Sequence, residues 1–288
     1  MSATHKMTTL KKKLFSNSCV GLRKEVLSKK ICATTQNTKW KHSSHKYSRN
    51  MNNARKNKIV CIGSGSSGNS YAVYDSRGKY ILLDCGLPYA KIMKAVGYDL
   101  ENLVAVFVTH CHKDHCEAVP AFAKKFVPMY GNKDLAEWYD GMSEVVNGMK
   151  VDGFRIQTFE LVHSVENNAF IIDTRDGIRI LYCTDTKYIP KVVRNVNYAI
   201  VEANYSDDIV LDNKLEGNES RSQFEWHQCF NDCMEYLQKI NGAQLRGVIL
   251  THLSDENSNE MYFKELAQQK LFLDNVICGD ASREMEIL

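Results

Sequence analysis

The segment Thr109–His115 reads T-H-C-H-K-D-H and follows the apolar run V-A-V-F-V. Its pattern, H-x-H-x-D-H, places four possible metal ligands within six residues. In an extended loop His110 and His112 project to the same side, so both can reach one ion, whereas Asp114 and His115 begin the next turn and face a second position. Imidazole and carboxylate groups are ligands that suit zinc. The segment therefore predicts a metal-binding loop.

Three further candidate ligands stand at the ends of predicted strands. His163 follows F-E-L-V, Asp185 follows I-L-Y-C-T and His252 follows G-V-I-L-T. One histidine at a strand end is more often a capping or core residue than a ligand. Because four separate elements all end in such groups, we expect them to converge on one metal centre.

The elements that must position these residues alternate between strands and helices. Strand patterns begin at Lys58 and include a hairpin turned at Ser76-Arg77-Gly78. The glycine-rich G-S-G-S-S-G-N at 63–69 has no P-loop lysine, so we interpret it as a tight turn; its backbone N–H groups could alternatively approach a phosphate. The element order predicts an α/β fold with two sheets inside and helices outside. Helices are predicted at 90–97, 116–126, 133–142, 224–241 and 261–272.

Charge divides the chain into two parts. Residues 1–58 contain 15 basic residues and one acid, a balance of 15 − 1 = +14, whereas the remainder has 22 basic and 33 acidic residues, or 22 − 33 = −11. We therefore expect a basic, disordered extension at 1–57 and a folded domain at 58–288. The extension is open to three interpretations: a transit peptide, an upstream addition before Met51, or an arm that attracts nucleic acid.

The ten cysteines contain no C-x-x-C pair, which argues against a disulfide framework and against a structural zinc site of four cysteines. We expect free thiols in a reducing compartment. No apolar run approaches the roughly 20 residues that span a bilayer. These features predict a cytoplasmic protein without a membrane partner, or an organellar one if residues 1–50 are a genuine transit peptide.

The ordered set of ligands resembles the metallo-β-lactamase superfamily, from Ile59 to the C-terminus. The resemblance implies a four-layered αββα sandwich that binds two divalent ions, zinc or manganese, and it matches Asp84 in I-L-L-D-C-G to an aspartate that supports the metal loop. A degenerate member without metals is the alternative, but no ligand is missing. The implied ligands are His110, His112 and His163 for one ion, Asp114, His115 and His252 for the other, and Asp185 as the bridge.

Four stretches look like the YycJ/WalJ-type branch of this superfamily: S-G-S-S-G-N-S-Y, L-L-D-C-G-L, T-H-C-H-K-D-H-C-E-A-V and I-L-T-H-L-S-D-E-N-S-N-E. That branch is linked to DNA exonuclease activity, so the resemblance implies a nuclease with DNA as its partner. The 252 − 185 = 67 residues between Asp185 and His252 are too few for the long cap domain of RNA-processing relatives. The flexible arm of tRNA 3′-processing endonucleases has no counterpart either.

The tRNA 3′-processing endonucleases nevertheless resemble this chain at two positions. They place a glutamate after the fourth motif and a histidine at the head of a later helix, and Glu202 and His227 occupy these places. In those enzymes the pair protonates the leaving oxygen, so the catalytic set implied here is Asp114, Glu202 and His227. Glu202 could instead be a buried carboxylate that supports the metal loop, and His227 a helix cap or a surface residue.

Two other classes of function remain open. One is hydrolysis of a small substrate, namely a cyclic nucleotide, a lactone or a thioester, because the fold alone does not select the substrate. The other is a non-catalytic nucleic-acid-binding module that uses the basic extension. The acidic balance of the folded domain argues against this module, and partly against tight binding of a duplex. The oligomeric state is unknown at this point.

Overall fold

A computed structural model describes residues 57–215 and 222–287, which belong to one compact unit, Asn50–Leu288. Apart from Asn57, the predicted N-terminal extension at 1–57 lies outside the described residues. Within them the chain forms the α/β architecture that the sequence predicts, with two β-sheets between layers of helices.

One sheet contains both chain ends of the described domain. Its strands lie in the order β14-β1-β2-β3-β4-β5-β6, and β3 to β6 are parallel to one another. The seven strands found in the described residues are β1 (Lys58–Gly63), β2 (Ser70–Tyr74), β3 (Tyr80–Leu83), β4 (Leu103–Phe107), β5 (Met129–Gly131), β6 (Met142–Glu144) and β14 (Arg283–Glu286).

The second sheet has the order β13-β12-β11-β10-β9-β8-β7. Strands β10 to β13 are parallel, whereas β7 to β10 form an antiparallel meander. The described strands are β7 (Met149–Val151), β8 (Phe154–Leu161), β9 (Asn167–Asp173), β10 (Arg179–Cys183), β11 (Tyr198–Glu202), β12 (Gly247–Thr251) and β13 (Val276–Cys278).

Helices cover the outer face of each sheet. The N-terminal half supplies α1 to α4, which pack on the first sheet, and the C-terminal half supplies α6 and α7, which pack on the second. The α-helices in the described part of the chain are α1 (Tyr89–Ala95), α2 (Lys113–Cys116), α3 (Val119–Ala123), α4 (Lys133–Trp138), α5 (Asp207–Leu215), α6 (Phe230–Ile240) and α7 (Glu260–Leu271). A short 3₁₀ helix spans Ser222–Glu225.

Buried side chains on both faces of each sheet hold these layers together. In β1, Ile59 and Cys61 point into the layer between the sheets, while Val60 and Ile62 pack under the helices of the first sheet. This alternation follows from the two-residue period of a strand, and it explains why the strand is apolar at nearly every position. The fold is thus a four-layered αββα sandwich, as predicted.

Three details differ from the sequence-based expectations. The helix predicted at 116–126 is divided into α2 and α3, with a break at Glu117–Ala118. The helix predicted at 224–241 begins only at Phe230, because Cys229 adopts an extended backbone and caps α6 by accepting a hydrogen bond from Asp232 N. Helix α5 and the short strands β6 and β7 were not predicted.

The eight cysteines in the described residues are free thiols, as expected, and seven of them are buried. No helix in this part of the chain is long and apolar enough to cross a membrane.

The parallel strands place their carboxyl ends at one edge of the sandwich. Because β8 is antiparallel to β9, and β9 to β10, β8 also ends at this edge. Candidate functional residues follow five of these strands: Asp84 after β3, His110 after β4, His163 after β8, Asp185 after β10 and His252 after β12; Glu202 is the last residue of β11.

Candidate metal centre

The structure brings all seven predicted metal ligands together at this edge. They form two groups that share Asp185, and within each group the ligand atoms all lie within 4.8 Å of one another. We call them the first group and the second group. The first group is His110, His112, His163 and Asp185, and the second is Asp114, His115, His252 and Asp185.

In the first group three imidazole nitrogens face one another. His110 Nε2 lies 3.0 Å from His112 Nδ1, which lies 3.2 Å from His163 Nε2. Asp185 Oδ2 completes the group at 3.8 Å from His110 Nε2 and 3.9 Å from His163 Nε2. The four atoms surround one point, as ligands of a single ion would.

In the second group two imidazoles alternate with two carboxylates. His115 Nε2 lies 3.5 Å from Asp114 Oδ2 and 3.3 Å from Asp185 Oδ1. His252 Nε2 lies 3.8 Å from the same Asp114 oxygen and 3.5 Å from the same Asp185 oxygen. Asp185 therefore directs one carboxylate oxygen to each group, which is the arrangement of a bridging ligand.

The spacing and chemistry of these atoms fit divalent metal ions. Ligands about 2.0–2.1 Å from a tetrahedral zinc ion stand about 3.3–3.4 Å apart, and the closest pairs in the two groups are 3.0–3.9 Å apart. The buried Nε2 atom of His252 has no hydrogen-bond partner within the described residues. A buried polar atom without a partner is costly, and a cation bound between His252 and the two carboxylates would satisfy it.

Burial and charge give the histidines of the two groups opposite protonation. Burial lowers the pKa of His163 to about 4 and holds the pKa of His110 well below the ordinary imidazole value. Burial also opposes a charge on His252, but Asp185 and Asp114 outweigh it and raise the pKa of His252 to about 9. The first group thus presents neutral imidazoles, whereas a proton on His252 balances the carboxylates and would be displaced by a metal ion.

Asp84 supports both groups from beneath, although it is fully buried. Its carboxylate accepts hydrogen bonds from the Thr109 backbone N–H at 2.8 Å and from Tyr182 Oη at 2.6 Å. It also lies 2.7 Å from His115 Nδ1, which directs Nε2 of that ring toward the second group. The Thr109 hydroxyl lies 3.0 Å both from Asp84 and from His110 Nδ1. One carboxylate therefore orients a histidine of each group.

Gly86 is the point where the metal-binding loop packs directly against the backbone of the first sheet. A Cβ atom at Gly86 would lie 1.6 Å from the Asp114 carbonyl oxygen and 2.5 Å from the His115 nitrogen. Two hydrogen bonds maintain this close approach, from Cys85 N to His115 O at 2.8 Å and from Asn69 N to Asp114 O at 2.7 Å. Any side chain at Gly86 must displace Asp114 and His115, two of the four ligands in the second group.

We expect Gly86→Ala to destabilise the protein by about 1–3 kcal/mol or more, as overpacking does, and to reduce metal binding by the second group. Thermal unfolding and metal content by mass spectrometry measure the two effects. Gly242→Ala is the matched control, because nothing lies within 4 Å of a Cβ atom there. Wild-type stability and metal content in Gly86→Ala would show that the loop does not depend on this contact.

Glu202 and His227 lie beside the second group. Glu202 is fully buried and uses both oxygens: Oε2 accepts the Thr186 N–H at 2.7 Å, and Oε1 lies 2.6 Å from His227 Nδ1. The His227 ring is stacked on His252, with 5.0 Å between centroids and 13° between planes. Burial opposes a charge on His227, but Glu202 outweighs it and raises the pKa of the imidazole above its ordinary value. The pair can therefore hold a proton next to the metal-binding groups.

Several residues that complete the site were not predicted from the sequence. Thr109 and Tyr182 contact Asp84, as described above. Asn204 places its amide nitrogen 3.1 Å from His252 Nδ1, and Asn69 places its own 3.0 Å from His115 Nε2. Asn69 ends the glycine-rich stretch, which is a tight turn closed by a hydrogen bond from Gly68 N to Gly65 O, as predicted. Only its position next to this turn distinguished Asn69 in the sequence.

Comparisons with known proteins agree with this geometry. Residues 63–197 match the model of the metallo-beta-lactamase superfamily. Exodeoxyribonuclease WalJ of Streptococcus pneumoniae is 26% identical over 237 residues, which is 74% of this chain and 86% of that protein. Exodeoxyribonuclease YycJ of Bacillus anthracis is 21% identical over 234 residues, which is 73% of this chain and 86% of that protein.

A solved structure shows the same architecture. The metallo-beta-lactamase fold protein YhfI from Bacillus subtilis superimposes with a TM-score of 0.63 at 20% identity, covering 81% of this chain and all of that chain. A four-layered αββα sandwich with histidines and aspartates at its strand ends defines a class of metal-dependent hydrolases. Residues 63–197 match the metallo-β-lactamase superfamily, and the described domain has the metallo-β-lactamase fold. The two relatives named above are the exodeoxyribonucleases expected from the YycJ/WalJ-type motifs.

Proposed function

We propose that the domain at 58–288 is a metal-dependent phosphodiesterase that cleaves DNA. The His227–Glu202 pair carries this proposal, because it lies beside the two metal-binding groups with 2.6 Å between its facing atoms. A phosphodiester needs an acid at this place since an alkoxide is a poor leaving group. Hydrolysis of a lactone or a β-lactam is not expected to need the pair there.

In this proposal the first group holds one divalent ion and the second group another, zinc or manganese, with Asp185 shared between them and Asp84 supporting the loop. When bound, two such ions supply Lewis acidity and make a water molecule more acidic at neutral pH. Asp114 has a second role in this proposal, which is to orient the attacking water. Its side chain is 26% exposed, against 4% for Asp185; Oδ2 faces the histidines, and we assign Oδ1 to orienting the attacking water.

His227 donates the proton that the leaving oxygen needs. Glu202 accepts the Nδ1–H of the ring, so the proton on Nε2 is the one available for transfer. The oxygen of water bonds to phosphorus and releases a proton to solvent, the bond to the ester oxygen breaks, and this oxygen departs with the proton from Nε2, which solvent replaces. General acid catalysis of this kind contributes about 10²–10⁴-fold to a rate. Glu202 acts through His227, because its other oxygen is bound to the Thr186 backbone.

DNA is the favoured substrate because two relatives that match about three quarters of the chain are exodeoxyribonucleases. The acidic balance of −11 in residues 59–288, from 22 basic and 33 acidic residues, argues against tight duplex binding. A single strand or a frayed end is therefore the expected form. A non-catalytic binding module would not require the intact ligand set with an acid pair beside it.

A panel of substrates tests this function directly. The purified protein, loaded with zinc or manganese, is incubated with single-stranded and duplex DNA, RNA, cyclic nucleotides, a lactone, a thioester and a β-lactam. We expect metal-dependent cleavage of DNA that chelators abolish. Turnover of the lactone, thioester or β-lactam without cleavage of any phosphodiester would refute the proposal.

A further inference from the structure

Two exposed residues, Trp226 and Lys187, contact His163 or the residue before it through their backbones. The backbone carbonyl oxygen of Trp226 lies 3.3 Å from Nδ1 of the predicted ligand His163. Lys187 N donates to the carbonyl of Val162 at 2.9 Å. Both side chains are exposed, and we call Trp226 and Lys187 the rim.

The backbone under Trp226 is held by several contacts. Phe224 packs on Tyr205 with 4.5 Å between ring centroids, and Tyr205 O accepts a hydrogen bond from Phe230 N at 2.7 Å. Between these two contacts His227 is bound to Glu202 at 2.6 Å. The residues on both sides of Trp226 are therefore anchored, and the indole stands on a fixed base next to the proposed acid.

Trp226 is partly open to water although the residues around it are held in place. The residue is 36% exposed, so part of a large aromatic side chain is accessible to a ligand. Flat, exposed, pre-positioned aromatic rings are the surfaces on which bases of single strands stack.

The chain segment that contains Lys187 is basic. From Thr186 to Val201 it contains two lysines and one arginine but no acidic residue, although the domain as a whole is acidic. This segment begins directly after Asp185, the residue shared by both metal-binding groups. An oligonucleotide has a phosphate next to the one being cleaved, which a lysine near the site can bind and which a cyclic nucleotide lacks.

We propose that the rim is a nucleotide subsite of the phosphodiesterase: a base beside the cleaved phosphate stacks on Trp226, and a neighbouring phosphate binds Lys187. This inference rests on the proposed function and specifies its substrate as an oligonucleotide rather than a cyclic nucleotide. Neither residue takes part in the bond-breaking step, so both should act on substrate binding rather than on turnover.

The test uses the metal-loaded protein with three substrates: a thymidine octamer, an octamer of abasic deoxyribose phosphates, and a 3′,5′-cyclic nucleotide. Trp226→Ala should raise KM for the thymidine octamer about tenfold, the effect expected from losing one stacked base, with a much smaller change in kcat. Trp226→Phe should restore most of the affinity. The abasic octamer should bind the wild type and Trp226→Ala about equally, because it has no base to stack.

Lys187→Ala should weaken binding of both octamers but not of the cyclic nucleotide, and it should reduce the salt dependence of log(kcat/KM) by about one unit of slope. Trp138→Ala and Lys125→Ala are matched controls, since both residues are exposed and lie on the helical side of the first sheet.

The possible results separate this inference from the function on which it rests. An unchanged KM for the thymidine octamer in Trp226→Ala, or an equal penalty on the abasic octamer, overturns the stacking. Cleavage of the cyclic nucleotide but not of the octamers overturns both the subsite and DNA as the substrate, and leaves only the phosphodiesterase chemistry. Failure of the wild type to cleave any phosphodiester overturns the proposed function itself.

Discussion

Asp185→Asn should reduce the metal content from about two ions per chain to about one or fewer and lower kcat for DNA cleavage on the order of 10³-fold or more, because one change removes a charge shared by both proposed sites. The two oxygens of Asp185 face different groups, at 3.8 Å from His110 Nε2 and 3.3 Å from His115 Nε2. Asparagine is nearly the same size and tolerates the left-handed backbone of this position, where φ is 54°. The backbone should therefore keep its conformation.

Metal content is measured by mass spectrometry, and coupling to folding by the rise in Tm when zinc is added. Asp173→Asn is the matched control, because Asp173 forms an ion pair with Arg179 at 2.7 Å and belongs to neither metal-binding group. It should retain the metal content, the zinc-dependent rise in Tm and the rate. Two tightly bound ions and a normal rate in Asp185→Asn would refute the assignment of Asp185 as the bridge.

The ligand set was predictable because its spacing within the sequence is informative. His110, His112, Asp114 and His115 stand next to one another in a single loop, so their proximity needs no knowledge of the fold. His163 and His252 could be included only because each follows an apolar strand, and strands of one sandwich end at a common edge. The strand patterns therefore predicted both the sheets and the residues that the sheets bring together.

The backbone conformation that aims some of these residues was not predictable. Asp84, Asp185 and His252 all have left-handed backbones, with φ of 58°, 54° and 55°. This conformation is unfavourable for residues other than glycine and is held only where surrounding contacts compensate for it. No sequence pattern distinguishes these positions from ordinary strand ends. All three lie within two residues of the end of a strand.

The helix predicted at 224–241 failed near the site for a related reason. Phe224 to Cys229 have the composition of a helix, but tertiary contacts compete for their backbone and side chains. Trp226 O lies 3.3 Å from His163, and His227 lies 2.6 Å from Glu202. Both interactions join residues far apart in the sequence, so local preference could not anticipate them. A 3₁₀ turn at Ser222–Glu225 and a loop stand in place of the first turns of the predicted helix, and the loop places His227 at the metal centre.

His227→Ala should lower kcat for a phosphodiester with an alkoxide leaving group by about 10²–10⁴-fold, the range for removal of a general acid. The loss should be much smaller for bis-p-nitrophenyl phosphate, since nitrophenolate departs without a proton. Metal content should remain that of the wild type, because His227 lies outside the first and second groups. The two rate ratios and the metal content are measured on the same preparations.

Two companion variants separate proton donation from positioning. His227→Asn retains an amide that can donate to Glu202 in place of Nδ1 but carries no transferable proton, so it should lose as much activity as His227→Ala. Glu202→Gln should show the same dependence on leaving group more weakly, because Glu202 orients and charges the imidazole without touching the substrate.

Equal losses on both phosphodiesters would mean that His227 binds substrate or supports the fold. Loss of metal from His227→Ala would make His227 a ligand. The ligand atoms of Asp185, Glu202, His227 and His252 also lie within 4.8 Å of one another, and this set would then replace the second group as the site of the second ion.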